Sequence, residues 1–377
     1  MIIDFATALP KRLAISVCAF LVAIACSRRA ADVPPTGQLF IADSLFVAVP
    51  VDSNSVERIT LEEVGSVTLG DDPSVAPRTV SHLVIDTRSI ALIDVGQATV
   101  YRYDRAGKTA FVLSTRNSTS TGLQAPNTLV LAGESTYVAD MEQGAGIFVF
   151  DVRGNLVKRI RLRTNSASVG LVSSSAGLAL ATLATDQDVS ARKAQFLAFL
   201  NADGTLVAQG CIPDPVYSTS VSQRRFLGLF REIGVSTDGA RIYCRQPVSP
   251  TIQVFDLHGR PIQSIRFRPP FYVRASDTTA TMSQPEIERF ETKGMLHSAF
   301  FPTSDGFVSV YSRFDEALGR RRYQLFRARR NSAQRQVFGV AESELEPVAF
   351  LAPDTLVTVE YPSGADMRVL LHMRRLR

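Results

Sequence analysis

The sequence predicts an all-β fold: a six-bladed β-propeller with four-stranded antiparallel blades, its ring closed by an N-terminal strand pairing with the last blade. Three observations lead to this prediction. A strand–turn–strand unit recurs along the chain, two further apolar runs precede most copies, and nothing between them has helical periodicity. Units with room for four strands and no helix are typical of propeller blades rather than helical solenoids.

The recurring unit is clearest at Ile147–Arg161, which reads IFVFDVRGNLVKRIR. Asp151 can accept hydrogen bonds from backbone N–H groups two residues on, and Gly154 can adopt a positive φ and re-enter the strand ladder. Related turns place glycines at Gly107, Gly204 and Gly259, so that successive copies are 47, 50 and 55 residues apart. This spacing predicts a repeat architecture.

Two weaker copies follow and bring the predicted blade count to six. Tyr323–Phe326 runs into a segment without the Asp and the Gly, where Arg327 stands in the expected position of the turn Asp. Val369–His372 opens the last copy, in a sixth blade predicted over Pro347–Arg377 with only three strands. We therefore expect the unpartnered segment Arg58–Gly70 to supply its outer strand, which removes an exposed sheet edge.

The repeat pattern resembles a known family of repeats. Tyr137–Asp140, followed after a gap by Ile147–Gly154, resembles an NHL-type repeat, and Leu92–Asp94 leading to Tyr103–Gly107 matches it too. The chain after its leader resembles the bacterial six-bladed β-propeller lipoproteins of the NHL-like and TolB-like group. Arg245 departs from the motif, since it stands where an analogue of Asp140 is expected. The chain has no Trp, which argues against WD and quinoprotein propellers.

The first 26 residues are predicted to be an export leader. Lys11 and Arg12 form a basic region, and Leu13–Ala25 is uncharged, mostly apolar and too short to span a membrane. Small residues before Cys26 suit lipid attachment to that Cys, although ordinary signal cleavage also fits. By resemblance to sorting in Gram-negative bacteria, Ser27 favours the outer membrane, and a periplasmic location is the alternative. The predicted organisation is a leader at 1–26, a tether and lead-in at 27–55, and the propeller at 56–377.

Two cysteines remain in the predicted propeller. Cys211 follows the outer strand of the third blade and Cys244 lies within the fourth, so an exported chain could join them by a disulfide. The alternative is two buried free thiols, because unpaired Cys packs as a small apolar residue.

The net charge of +5 is modest, and basic residues concentrate in Arg313–Arg335. We predict no nucleic-acid partner, because the aromatic residues among these arginines fit a strand pattern and no known module is present. A solvated blade edge is the simplest interpretation. Contact with an anionic lipid or polysaccharide is the alternative.

Three long connections between blades are predicted to lie on one face: Ser114–Asn127, Ile212–Ile233 and Arg268–His297. Long loops on a rigid scaffold usually carry binding or catalytic residues. The binding residues predicted on this face are Tyr217, Arg224, Arg231, Tyr272, Arg274 and His297.

No catalytic motif and no metal-ligand spacing occur among the four histidines. His82 and His297 are near inner-strand starts and could face the channel, but a lone His there is more often a hydrogen-bonded structural residue than a ligand. Asp94 and Asp140 fit turn caps better than a calcium or catalytic ring. The leading hypothesis is a non-enzymatic, membrane-tethered propeller that binds a protein or glycan, with no cofactor. The alternative is a lactonase-like, metal-dependent hydrolase or lyase with calcium held near Asp86 and Asn127. A scaffold without a small ligand is the third reading.

Overall fold

Twenty-six β-strands and no helix make up the regular structure of the described residues in a computed structural model of the chain. The structure describes residues 46–48, 56–72, 76–78, 80–114, 123–140, 146–162, 168–182, 194–214, 233–267, 269, 271, 295–330, 336–361 and 368–377. All of them belong to one compact unit, Ile41–Arg377. Within these ranges there is accordingly no helix that could cross a membrane.

The strands form six sheets with four antiparallel strands each, which are the six predicted blades. Blade 1 comprises β4 (Val80–Ile85), β5 (Ser89–Asp94), β6 (Thr99–Asp104) and β7 (Thr109–Ser114). Blade 2 comprises β8 (Pro126–Ala132), β9 (Ser135–Asp140), β10 (Gly146–Phe150) and β11 (Leu156–Arg161). Blade 3 comprises β12 (Ser168–Ser174), β13 (Gly177–Thr182), β14 (Leu197–Leu200) and β15 (Leu206–Gly210).

The second half of the ring repeats this plan. Blade 4 comprises β16 (Gly234–Thr237), β17 (Arg241–Arg245), β18 (Thr251–Asp256) and β19 (Pro261–Arg266). Blade 5 comprises β20 (Leu296–Thr303), β21 (Gly306–Asp315), β22 (Arg320–Arg330) and β23 (Gln336–Ser343). Blade 6 comprises β24 (Glu346–Leu351), β25 (Thr355–Glu360), β26 (Leu370–Leu376) and β3 (Leu61–Thr68). The first strand of each blade contacts the first strand of the next, and β24 contacts β4, which closes the ring.

The N-terminal strand β3 supplies the outer strand of blade 6, as predicted. It runs antiparallel to β26, with Leu370 paired to Thr68 and Leu376 to Leu61. Two short strands before it were not predicted: β2 (Val56–Arg58) adds parallel to β23, and β1 (Phe46–Ala48) adds parallel to β19. Arg58 thus belongs to β2, and β1 lies within the predicted tether. Strands of three residues are too short to show a readable sequence period.

The repeated turns have the predicted geometry. Asp104 accepts hydrogen bonds through Oδ1 from the N–H groups of Ala106 and Lys108, and Asp151 does the same two and four residues on. Gly107 and Gly154 have φ values of 87° and 81°. A Cβ on Gly107 would collide with the backbone of β3, and one on Gly154 would meet the ring of Phe111 in β7. Each glycine therefore allows its turn to lie against the outer strand of the preceding blade.

Arg327 does not occupy the position of the turn Asp, which corrects the sequence prediction. β22 continues to Arg330, and its register pairs Gly306 with Arg329. In blade 1, the corresponding pair is Ser89 with Asp104. Arg329 therefore replaces the turn Asp, and Arg327 lies two residues further inside the strand.

The core consists of six apolar clusters, one at each junction between neighbouring blades. The largest side chains buried to below 2% exposure are aromatic, and they include Tyr103, Phe150, Phe255 and Phe326. Burying apolar area stabilises a fold by roughly 25 cal/mol per Å². Because every blade has two such junctions, the sheets support one another around the ring.

Candidate functional site

Two faces of the ring are distinguished by their connections. The loop face carries the connections from each outer strand to the next inner strand, and the turn face carries the turns after each inner strand. The three long connections join β7 to β8, β15 to β16 and β19 to β20, so all three begin and end at the loop face. Five of the predicted binding residues lie outside the described residues, as does the predicted lipid-attachment site: Tyr217, Arg224, Arg231, Tyr272, Arg274 and Cys26.

A disulfide fixes the start of the connection between blades 3 and 4. Cys211, which directly follows β15, is bonded to Cys244 in β17, with their Cα atoms 6.2 Å apart. Both cysteines are fully buried. Of the two alternatives left open by the sequence, the structure has the bonded pair, and it joins neighbouring blades covalently.

Hydrogen bonds hold the three residues after Cys211 against blade 4. The amide of Gln253 accepts from the N–H of Ile212 at 3.1 Å and donates to its carbonyl at 2.7 Å. Gln246 also donates to that carbonyl and accepts from the N–H of Asp214 at 2.8 Å. Ser249 donates to the Asp214 carboxylate at 2.7 Å. We call Gln246, Ser249, Gln253 and the disulfide the loop clamp.

The glutamines and the serine of the loop clamp were missed by the sequence analysis. Gln253 alternates with apolar neighbours in a strand, and Gln246 lies in a connection, so neither carries a motif. Only the tertiary contact between blades 3 and 4 reveals them. Their consequence is that the described start of this connection, up to Asp214, has a fixed position.

His297 is buried at the junction of blades 4 and 5, with 0% exposure. Its Nε2 hydrogen-bonds the hydroxyl of Ser309, and its ring stacks on Tyr311 with centroids 4.7 Å apart. Burial, and after it the nearby cation of Arg245, hold the pKa of His297 well below its usual value, against smaller opposing effects of the Ser249 and Ala299 backbones. A neutral, enclosed imidazole of this kind supports packing rather than contact with a ligand.

His82, like His297, is held by hydrogen bonds within the fold, which agrees with the structural role favoured from the sequence over that of a ligand. Nε2 of His82 lies 3.1 Å from the carbonyl oxygen of Leu129 in the next blade, and burial lowers the pKa of this histidine as well. Both rings lie between blades, because the first strand of each blade directs alternate side chains at its neighbour.

Asp94 and Asp140 act as caps, the interpretation favoured from the sequence. Asp94 accepts from the N–H groups of Arg78 and Gln97, and Asp140 accepts from those of residues 124 and 125. In blade 4, Arg245 occupies the equivalent position and instead donates to the carbonyl of His297 in blade 5.

The two ligands proposed for the metal-dependent alternative do not converge. Asp86 directly follows β4 at the turn face and accepts from the N–H groups of Arg88 and Ser89, both at 2.7 Å. Asn127 is near the start of β8 at the loop face and donates to the carbonyl of Ser168. An inner strand of six residues separates the two faces by about 20 Å. No group of three or more His, Cys, Asp or Glu side chains suited to a metal occurs among the described residues.

Comparison with known proteins identifies the fold. No protein-family model and no curated protein matches the chain. A candidate exported protein of Bacteroides fragilis is similar in structure, with TM-score 0.59 and 10% identity over 88% of this chain and 99% of that chain. A DUF4221 family member from Bacteroides vulgatus has TM-score 0.61 and 8% identity over 85% and 99% of the two chains. At these identities the likeness establishes the fold alone.

Proposed function

We propose that this protein is an exported, lipid-anchored propeller that binds a protein or glycan partner through its loop face, without catalysing a reaction. The observation that carries the proposal is the loop clamp. A disulfide and hydrogen bonds from three side chains fix the base of one long connection, at Cys211–Asp214. Loops held on a rigid base lose less conformational entropy on binding, which favours affinity.

Export and anchoring rest on the leader. Its basic start, its apolar stretch Leu13–Ala25 and the small residues before Cys26 suit transfer across a membrane and acylation of Cys26. A disulfide is typical of an oxidising compartment, which agrees with export. The resemblance to NHL-like and TolB-like lipoproteins, and the fold shared with a candidate exported protein of Bacteroides fragilis, support the same assignment.

A non-enzymatic role is favoured by the use that the described polar residues already have. His297 is enclosed, Asp94 and Asp140 are engaged as caps, and Asp86 and Asn127 lie at opposite faces. The donor geometry gives no support to the metal-dependent hydrolase or lyase, so that alternative is not favoured.

Site-specific photo-crosslinking in cells tests the partner-binding proposal. A photoreactive amino acid replaces Tyr217 or Tyr272, which belong to two of the long connections, and the matched control replaces Val207, which is 51% exposed on an outer strand. We expect adducts of one defined partner, or retention of one class of glycan by the purified protein, to depend on the loop-face positions. Equal adducts from Val207, or no adduct and no glycan, would favour the scaffold reading instead.

The anchor is tested separately with Cys26→Ser. The variant should lose incorporation of labelled fatty acid and move from the membrane fraction to the soluble fraction. A variant that stays in the membrane fraction without fatty acid would contradict the lipid-anchor assignment, but not the binding face.

A further inference from the structure

A cleft of about 600 Å³ opens at the turn face between blades 5 and 6. Its walls come from β22 and β23, from the turns after β20 and β24, and from residues 57–59 of the N-terminal segment. The volume lies within the range of about 300–1,000 Å³ that is typical of small-molecule sites. Seven charged residues line it: Glu57, Arg58, Asp305, Arg327, Arg329, Asp354 and Arg377.

Arg327 is the most enclosed cation in this cleft, with 8% exposure. Its Nε is buried and has no hydrogen-bond partner among the described residues. The nearest carboxylate belongs to Asp305, 3.9 Å from the guanidinium, and the ring of Phe350 lies 6.0 Å away. Leaving a buried N–H of a guanidinium without a hydrogen-bond acceptor is unfavourable, and Asp305 is too distant to supply one.

An equivalent arginine in blade 1 shows what is missing. Arg102 lies two residues before Asp104, as Arg327 lies two residues before Arg329 in the same register. Arg102 donates to the Ser89 hydroxyl at 2.9 and 3.3 Å. It also donates to Thr136 Oγ1 at 3.1 Å and to the Glu134 carbonyl at 2.8 Å, both in the next blade. Three oxygen atoms thus satisfy this buried guanidinium.

Both hydroxyl acceptors are absent at the blade 5–6 junction. The residue in the position of Ser89, the first of its strand, is Gly306. The residue in the position of Thr136, the second of its strand, is Leu356. The arginine is therefore kept while both hydroxyl acceptors are replaced by residues without a polar side chain, and the space beside it is an open cleft.

We propose that this cleft binds a small molecule bearing an oxyanion, whose carboxylate, phosphate or sulfate oxygens accept hydrogen bonds from Arg327. Arginine binds such groups in a two-pronged geometry that lysine cannot reproduce. Arg58 and Arg329 at the rim add attraction for the anion. Glu57, Asp305 and Asp354 oppose a highly charged ligand and can accept hydrogen bonds from N–H or O–H groups on the rest of the molecule. The site therefore favours a polar ligand with one oxyanion group over a polyanion with several, and it is independent of the loop face.

Titration of the full-length protein with inorganic phosphate, sulfate and acetate tests this proposal, with sodium chloride keeping the ionic strength constant. We expect saturable binding by calorimetry of at least one of these anions, and at least about tenfold weaker binding by Arg327→Met. The matched control is Arg320→Ala, which removes an exposed arginine paired with Glu344 and should bind the anion like the wild type. No saturable binding by the wild type, or equal binding by a folded Arg327→Met variant, would overturn the proposal.

Arg327→Lys provides a second variant in case the Met variant does not fold. It keeps the positive charge but loses the fork of N–H donors, so we expect it to fold and to bind at least about tenfold more weakly. Wild-type affinity in this variant would show that charge alone attracts the anion, and the specific site would be rejected. A polyanion such as inositol hexakisphosphate should bind no more tightly than phosphate, and much tighter binding would also reject it.

Discussion

Gly107→Ala offers a sharp test of how the blades are held together. Gly107 has φ of 87° in the turn after β6, and its carbonyl accepts a 2.9 Å hydrogen bond from the N–H of Gly70, just beyond β3. Gly239→Ala is a matched control, because Gly239 has φ of 88° in the turn before β17 and a Cβ there would meet nothing within 4 Å. The two variants share the backbone strain and differ in the space available.

The expected free energies follow from this difference. An L-residue in the left-handed region is strained by about 1–2 kcal/mol, and both variants carry that term. In Gly107→Ala the new methyl group collides with the backbone of Thr68 and lies 3.0 Å from the side chain of Val67. A clash that a backbone must relieve destabilises a packed interior by about 1–3 kcal/mol. Gly107→Ala should therefore lower the free energy of unfolding by about 1–3 kcal/mol more than Gly239→Ala.

Urea denaturation of both variants and the wild type measures this difference. Hydrogen exchange locates it, because the amides of β3 and β26 should exchange faster in Gly107→Ala and at the wild-type rate in Gly239→Ala. If the two variants were equally destabilised, or if exchange in β3 were unchanged in Gly107→Ala, the repeat glycines would act only through their φ angles. The proposed contact between each turn and the preceding blade would then be wrong.

Three further predictions concern the disulfide, the buried histidine and a buried tyrosine. Replacing both Cys211 and Cys244 by Ser removes a cross-link between residues separated by 33 positions. In urea denaturation, the free energy of unfolding should fall by about 4 kcal/mol. A loss below about 1 kcal/mol would contradict a structural role for the disulfide. The folded-state pKa of His297 is depressed below the ordinary value of 6.5, so its neutral form contributes stability that is complete above pH 6.5 and lost as the pH falls below it. His297→Phe should therefore show a shallower loss of stability on acidification, with a residual slope from His82, and identical slopes in the two proteins would argue against this. Burial, and then the Asp94 carboxylate, raise the pKa of Tyr101 from 10.0 to about 12. The free energy of unfolding should therefore decline as the pH rises between those values. Tyrosinate absorbance during alkaline unfolding should show a smaller cooperative step in Tyr101→Phe than in the wild type.

The blade count and the turns could be predicted because their signals are local. An Asp followed by a Gly three residues later specifies a turn through contacts within five residues, as at Asp151 and Gly154. The role of β3 could be inferred because blade 6 lacked a strand. By contrast, β1 and β2 are recruited through backbone pairing to β19 and β23, which leaves no pattern in three residues. Arg327 was misplaced because β22 is longer than the repeat requires, and its length depends on pairing with β21.

The candidate sites were less accessible to sequence reasoning. The length of the connections indicated the loop face, but the glutamines of the loop clamp are recognisable only when blades 3 and 4 are placed side by side. The cleft between blades 5 and 6 stands out as a candidate site only when Arg327 is compared with Arg102 of blade 1. Arg102 and Arg327 have no common sequence motif, and their equivalence appears only in the strand register. The role proposed for Arg327 depends on which hydrogen-bond acceptors surround its guanidinium, and those acceptors are known only from the tertiary structure.

The pairing of β3 with β26 has a consequence for the order of folding. β3 is made before every other strand of the six blades, yet its partner follows about 300 residues later. The four strands of blade 6 therefore have a far higher contact order than those of any other blade. Blades 1 to 5 each close over short stretches of chain and can form while synthesis or export continues. Blade 6 cannot, because β3 has to wait, with an unpaired edge, for the last strand to appear. The chain is most prone to aggregation before β3 pairs with β26, because the edge of β3 is then unpaired. A chaperone would protect the chain best during that time.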